Sequence, residues 1–571
     1  MGLKRLVTRF RLFPCLSPSL PQVGDTSVWL GCSDRLTQKL GPKLTWDVRF
    51  AIGLHPTKHM HRAVRLAQSL GLGASLFPSP SCLRTSQGPP SLSCYNPLVA
   101  ANPEQRTAVE VIVAGLSGPA PYIVFGPPGT GKTVTLVEAI KQVWLHHPDS
   151  HILAAAPSNT AADLLAERLS EDVPSTEMLR LHASSRSRAT VPPSLEQVSN
   201  LREEGFHFPA LETIAQYRVI VTTLVTAGRL VSAQFPADHF QHIFIDEAGQ
   251  ATEPETMIAV AGLLTAHGLN TGGQLVMAGD PLQLGPSVRS PPALEHGLAT
   301  SLLERLMASP LYSRGPQGYD TRCITKLVNN FRSHPALLQL PSRLFYGGEL
   351  KPCAERAVVN SCLQFSGLAP GARSRTPLIF HGVVGQDMRE AGSPSFFNPA
   401  EAVTVLGYVS QLVAEGVQLQ HIGVIAPYRR QVQKIRERLG LKGWREEVMV
   451  GTVEEFQGQE RRVVIVTTVR SSTEYIVTDL QHKLGFLANP KRFNVAITRA
   501  RALLVVVGNP YILQQVGVGG HQCLWDADRR LVSMFCLMFF RCLGCWLEVT
   551  AGLLRAAGLL HGLPLPQGRA G

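Results

Sequence analysis

The chain has 571 residues, with 54 Lys and Arg against 42 Asp and Glu, a formal charge of +12. That length exceeds one ordinary domain. Hydrophobic residues make up 44% and charged residues 17%, which excludes wholesale disorder and supplies packed cores. A basic chain invites a nucleic-acid or anionic-surface reading, but the excess sits at the ends. Residues 1–94 hold 12 Lys and Arg against 3 Asp and Glu, residues 511–571 hold 5 against 3, and 95–510 therefore carries only about +1.

The 11 cysteines lack paired spacing and fit a reducing compartment. Cys542 and Cys545 have no second ligand pair nearby, so they read as ordinary thiols rather than a zinc site. Met1–Leu20 is basic, acid-free and carries prolines; it has no apolar run ending in a small-residue cleavage site. Residues 531–547 are apolar but broken by Arg541 and fall short of the ~20 residues a spanning helix needs, so no membrane span is expected.

Residues 1–94 read as a basic arm ending in a Gly-, Pro- and Ser-rich linker over 72–94. From Asn102 short β-rich runs alternate with longer helical patterns. Tyr122–Phe125, Ile152–Ala155, Val219–Thr222, His242–Ile245 and Gln274–Ala278 are predicted strands, with helices at Val134–Trp144 and Ala161–Ser170. Further strands are predicted at Pro377–His381, His421–Ile425, Val463–Thr468 and Leu503–Val507. The alternation predicts an α/β fold with two parallel-sheet units in tandem. We place the first at 95–322 with a helical insertion at about 170–216, the second at 323–515, and a divergent tail at 516–571.

The first predicted strand runs into Gly126, Pro127, Pro128, Gly129, Thr130, Gly131, Lys132 and Thr133, followed by a helix. Glycines let backbone N–H groups wrap a phosphate, and the helix N-terminus adds its dipole. In such a loop Lys132 reaches the β- and γ-phosphates and Thr133 ligates Mg²⁺. The run Ile243–Ile245 ends in Asp246 and Glu247. Asp246 suits the metal, and Glu247 can orient and deprotonate a water. No base-recognition signature for GTP stands out, so the nucleotide is expected to be ATP.

Motifs that follow in order resemble superfamily-1 helicases of the up-frameshift-like, Armitage-related branch. They are Asn102–Gln105, Ala156–Asp163, Val221–Thr223, Asp246–Gln250, Gly279–Pro286, Asn330–Pro335, Ala426–Arg429, Gly451–Glu460 and Arg492–Ala500. The resemblance implies two RecA-like P-loop NTPase domains with an ATP cleft between them. It implies that Gln105 reads adenine, Phe331 stacks on it, Glu460 helps hold the nucleotide and Gln283 senses the γ-phosphate. Arg332 and Arg499 become arginine fingers. Pro157, Ser158, Asn159, Thr222, Thr223, Pro427, Tyr428 and Thr452 become contacts to single-stranded RNA.

The implied activity is an ATP-dependent, 5′-to-3′ RNA helicase of RNA-mediated silencing and mRNA turnover. Silencing-complex and mRNA-decay proteins are the expected partners, in the cytoplasm and P-bodies. An RNA-binding scaffold with weak unwinding and a DNA helicase of the same branch stay open as alternatives, because the motifs do not display 2′-OH discrimination. The sequence departs from the branch at Leu282 and at Val328-Asn329, where no catalytic group is lost, and the likeness ends near Gln514.

Overall fold

The computed structural model describes residues 53–83 and 92–515, less 203–204, 237–238, 265–272, 369–375, 391–392, 394, 473 and 475–488. It also describes three short strands at Arg11–Pro14, Gln22–Val23 and Val28–Cys32. The tail at 516–571, with Cys542 and Cys545, lies outside the described residues.

Helix α1 (His55–Ser69) precedes the first sheet; it packs against the helices at Glu253–Val260 and Leu224–Ser232 and buries Ala63 and Ala67 in the first domain's core. Helix α2 (Pro103–Ala114) follows, capped by Asn102, whose Oδ1 accepts the Gln105 N–H at 3.4 Å. The first sheet then takes up β1 (Tyr122–Phe125), β2 (Ile152–Ala156), β3 (Met178–Leu181), β4 (Val219–Thr223), β5 (His242–Ile245), β6 (Gln274–Gly279) and β7 (Ile324–Lys326). These seven strands lie in the order β7-β1-β6-β5-β2-β4-β3, every pair parallel. Along β1, Ile123 and Phe125 enter one hydrophobic cluster while Tyr122 and Val124 enter another. That alternation is what a parallel sheet covered on both faces requires.

Helices α3 (Lys132–His146) and α4 (Asn159–Leu169) follow β1 and β2, and α5 (Leu224–Ser232) and α6 (Glu253–Val260) come after β4 and β5. Two expectations need correction here. The segment 170–216 is no helical insertion: it supplies edge strand β3, 3₁₀ turns, a short hairpin at Leu201–Phe206 and one helical turn at Leu211–Ile214. Met178–Leu181 is buried along its whole length, so its sequence shows no strand alternation. The first sheet also runs past the expected break at 322/323, because β7 pairs with β1 from Ile324 to Lys326.

Helix α7 (Pro335–Phe345) sits between the domains. Leu338 joins the first domain's core, while Leu337 and Leu340 join the second's. The second sheet holds β8 (Leu378–Gly382), β9 (Ile422–Ile425), β10 (Met449–Gly451), β11 (Arg461–Thr467) and β12 (Ala500–Gly508). Their order is β8-β12-β11-β9-β10, all parallel. Helices α8 (Pro399–Ala414), α9 (Arg429–Gly440) and α10 (Pro490–Ile497) belong to this domain. The chain therefore carries two tandem RecA-like domains. Among the described residues no helix is long and apolar enough to cross a membrane.

Candidate nucleotide site between the domains

The phosphate loop leaves β1 and turns into α3. Lys132 is buried, and its Nζ donates to the Gly126 carbonyl at 2.9 Å, across the loop. Thr130 Oγ1 donates to the Pro127 carbonyl at 2.7 Å and closes the turn. Gly129 has φ +73°, and a Cβ there would lie 2.6 Å from Arg332 Cβ and 2.8 Å from Asn330 Nδ2. Only glycine fits that approach of the second domain to the loop.

Thr133 Oγ1 donates to Asp246 Oδ2 at 2.7 Å. A hydroxyl and a carboxylate oxygen side by side are hard-oxygen donors suited to Mg²⁺. Asp246 is buried, and that burial, with the Glu247 carboxylate beside it, pushes it up to about 6. Two crowded carboxylates short of positive charge are what a divalent cation relieves. Glu247 has φ 51°, a left-handed conformation unusual for a non-glycine residue. Its Oε2 accepts from Gln250 Nε2 at 2.9 Å.

Gln105 is 2% exposed. Its Nε2 donates to Thr135 Oγ1 at 2.8 Å and to the Gly131 carbonyl at 3.3 Å. In this structure Gln105 braces the phosphate loop.

The second domain reaches the loop through three consecutive residues. Asn330 Nδ2 donates to the Pro128 carbonyl at 2.7 Å, and the Phe331 N–H donates to the Gly129 carbonyl at 2.8 Å. The Phe331 side chain is 36% exposed, so its ring face is available for stacking. Arg332 Nε pairs with Glu460 Oε2 at 2.5 Å, and its NH1 donates to the Thr498 carbonyl at 3.1 Å. Burial opposes ionisation of Glu460, but Arg332, Arg501 and Arg499 outweigh it and hold the carboxyl below its ordinary range. Glu460 therefore holds an arginine in this structure.

Arg499 is 1% exposed. Its Nε donates to the Val495 carbonyl at 2.9 Å, and its NH2 donates to Gln283 Oε1 at 3.1 Å and Thr498 Oγ1 at 2.9 Å. Burial, then the charge of Arg332, lowers its pKa. The structure thus brings Lys132, Thr133, Asp246, Glu247, Gln283, Arg332 and Arg499 to one cleft.

The residues expected to touch a nucleic-acid strand divide. Ser158 and Asn159 are exposed at the start of α4, and Pro157, Thr223 and Pro427 are half-buried. Ser158 Oγ and Thr223 Oγ1 cap α4 and α5, accepting from Ala161 N–H at 3.2 Å and Thr226 N–H at 3.3 Å. Thr222, Tyr428 and Thr452 are buried. Thr222 Oγ1 donates to the Leu181 carbonyl at 2.9 Å, and the Tyr428 ring lies 5.8 Å from Phe396 with the Arg470 guanidinium over it. In this structure the side chains of these three are turned inward. A strand-end position exposes backbone, but the side chain alternates inward.

Sequence reasoning missed Asn330 and Asp280 as site residues. Asp280 ends β6 as Asp246 follows β5, and that parallel, a buried acid after an apolar strand, was the available signal.

Two family models, each described as an AAA domain, match the chain, one over residues 100–207 and 207–291 and the other over 298–511. Putative helicase mov-10-B.1 of Danio rerio is 49% identical over 510 residues, covering 86% of this chain and 50% of that protein. RNA helicase Mov10l1 of Homo sapiens is 47% identical over 431 residues, covering 73% and 34%. Probable RNA helicase armi of Drosophila melanogaster is 35% identical over 456 residues, covering 74% and 38%. The chain spans about half the length of the first of these, and less of the other two. Its core, with a phosphate cradle in one RecA-like domain and paired arginines in the next, belongs to the MOV-10, Mov10l1 and Armitage helicase family.

Proposed function

We propose that this chain is an ATP-dependent RNA helicase. The observation that carries this reading is the contact of the second domain with the phosphate loop through Asn330 and Phe331, which sets Arg332 beside Gly129, together with the Arg499 hydrogen bond to Gln283 of the first domain. A nucleotide bound there touches both domains, so hydrolysis changes how they are joined.

Lys132 would bind the β- and γ-phosphates, and Phe331 would cover the adenine. Thr133 and Asp246 would hold Mg²⁺, which supplies charge neutralisation at the phosphates when bound. Glu247 would take the proton of the attacking water. Arg332 and Arg499 would leave Glu460 and the Val495 carbonyl to meet the charge that develops on the γ-phosphate. Such arginines are worth roughly 10³–10⁵ in rate in related systems.

Single-stranded RNA would cross the strand ends at Pro157–Asn159, Thr223 and Pro427 through hydroxyl and backbone groups, without base reading. The 5′-to-3′ direction, the silencing and mRNA-turnover role, and location in cytoplasmic granules rest on kinship. Co-localisation of the tagged full chain with granule markers checks the last.

The decisive experiment is ATPase of the wild-type chain and Glu247→Gln with single-stranded RNA and DNA. RNA-stimulated turnover in the wild type and its loss in Glu247→Gln is the expected result. Stimulation by DNA alone would move the assignment to a DNA helicase, and none by either polymer would leave a binding scaffold.

A further inference from the structure

We infer that Tyr346 is a positioning residue that links the γ-phosphate sensor of the first domain to the helix that leads into Arg499 in the second; this rests on the ATP-driven reading above. Tyr346 follows α7 and is 2% exposed. Its hydroxyl donates to Asp280 Oδ2 at 2.7 Å and accepts from Asn494 Nδ2 at 2.7 Å. Asp280 lies at the end of β6 in the first domain, and Asn494 lies on α10 in the second. One phenolic oxygen therefore joins the two domains.

The link continues on both sides. The same Asp280 Oδ2 accepts from Gln283 Nε2 at 2.8 Å, and Gln283 Oε1 accepts from Arg499 NH2 at 3.1 Å. Arg499 returns to α10 through the Val495 carbonyl at 2.9 Å. Asn494 also donates to the Leu282 carbonyl at 2.9 Å. Asn494, Tyr346, Asp280, Gln283 and Arg499 thus form a closed circuit across the interface.

The residue type follows from this. Tyrosine offers a donor and an acceptor on one atom at the end of a rigid ring, whereas phenylalanine fills the same volume with neither. A tyrosine serving only as core filler explains the burial of its ring. It does not explain why both hydrogen bonds go to polar side chains of opposite domains. Asp280 is itself buried, and its hydrogen-bond donors are Tyr346, Gln283 and the Leu282 N–H. When Gln283 turns to a γ-phosphate, the demand on Asp280 changes, and Tyr346 passes that change to Asn494 and α10. Coupling of this kind needs contiguous polar partners with alternative arrangements.

The test is ATPase of the full chain at saturating single-stranded RNA homopolymer. Tyr346→Phe removes both hydrogen bonds of the hydroxyl and should lower kcat about ten-fold. KM for ATP should stay within about two-fold, and the kcat loss should persist at temperatures well below the thermal midpoint, which the unpairing of buried Asp280 and Asn494 lowers by a few degrees. Asn494→Ser breaks the link from the other side and should give the same loss, so the expectation stands even if one variant folds poorly. The double variant should lose no more than the worse single one. A wild-type kcat in both variants, losses that multiply, or losses that follow thermal destabilisation would overturn the inference. A wild type without RNA-stimulated turnover overturns the helicase reading and this inference together, whereas a stimulated wild type beside unaffected variants sinks this inference alone.

Discussion

The two domains share one architecture but treat their functional groups differently. In the first, Lys132, Thr133 and Asp246 are fixed by short contacts within the domain. In the second, Arg332 and Arg499 are each held by groups that compete with a phosphate, namely Glu460 and the carbonyls of Thr498 and Val495. On the proposed reading, the first domain carries the groups that bind and the second those that engage on closure. Preorganised donors lower the cost of binding, whereas groups withheld until closure contribute only when the domains engage.

The largest expected effect tests this contrast directly. Lys132→Ala should weaken ATP binding itself. Arg499→Ala should leave ATP affinity near wild type while lowering RNA-stimulated turnover by about 10³ or more. Equilibrium titration with a fluorescent ATP analogue beside steady-state turnover separates the two. Equal loss of affinity in both variants would break the contrast.

Next comes stability. In the first domain Asp163, on α4, lies between two arginines, with Arg180 at 3.0 Å and Arg186 at 2.5 Å. In the second, Asp387 faces Arg470 at 3.0 Å. All five side chains are largely out of water. Removing one partner of a buried pair costs about 3–5 kcal/mol. Asp163→Ala, which strands two guanidinium groups, should cost at least as much as Asp387→Ala in urea unfolding.

Two sets of buried groups give pH dependences of opposite sign. Burial, then Arg180 and Arg186, lowers His182 from 6.5 to about 3, and burial, then His151, lowers His239 to about 4. Between those values and 6.5 the unfolded chain binds more protons, so the first domain loses stability as pH falls below 6.5. Burial raises Glu401 from 4.5 to about 8, against the hydrogen bonds it accepts from Thr467 and Val469. Between 4.5 and about 8 the folded state holds the extra proton, so this group's contribution is lost as pH rises through that window. Thermal midpoints from pH 4 to 9 should show both limbs, and Glu401→Gln should flatten the alkaline one.

The smallest effect is expected at Phe331. Its ring is 36% exposed, so Phe331→Ala should leave stability unchanged. Loss of stacking should raise KM for ATP several-fold, about 1 kcal/mol.

Much of this was legible in the sequence, because strand, loop and helix around Gly126–Thr133 are set by local residues. The Asp246–Glu247 pair sits at a strand end for the same local reason. What stayed hidden was long-range. Tyr346 and Asp280 are 66 positions apart, and nothing near either names the other. Arg180 reads as a surface charge in a short apolar run until Asp163 is brought beside it. Thr222 and Tyr428 carry polar tips that suggest a binding face, yet their rotamers and neighbours turn them inward. Helix α1 has no such excuse: His55–Ser69 is a continuous periodic segment that lay inside what reads as a basic arm.

Helix α7 gives one core a leucine and the other core two, along less than two turns of backbone. Neither domain can melt without exposing apolar surface that the other also claims. The two should therefore unfold in a single calorimetric transition, although each has its own sheet. The same ownership ties the two domains together at this helix, so they do not sit like separate beads on a string.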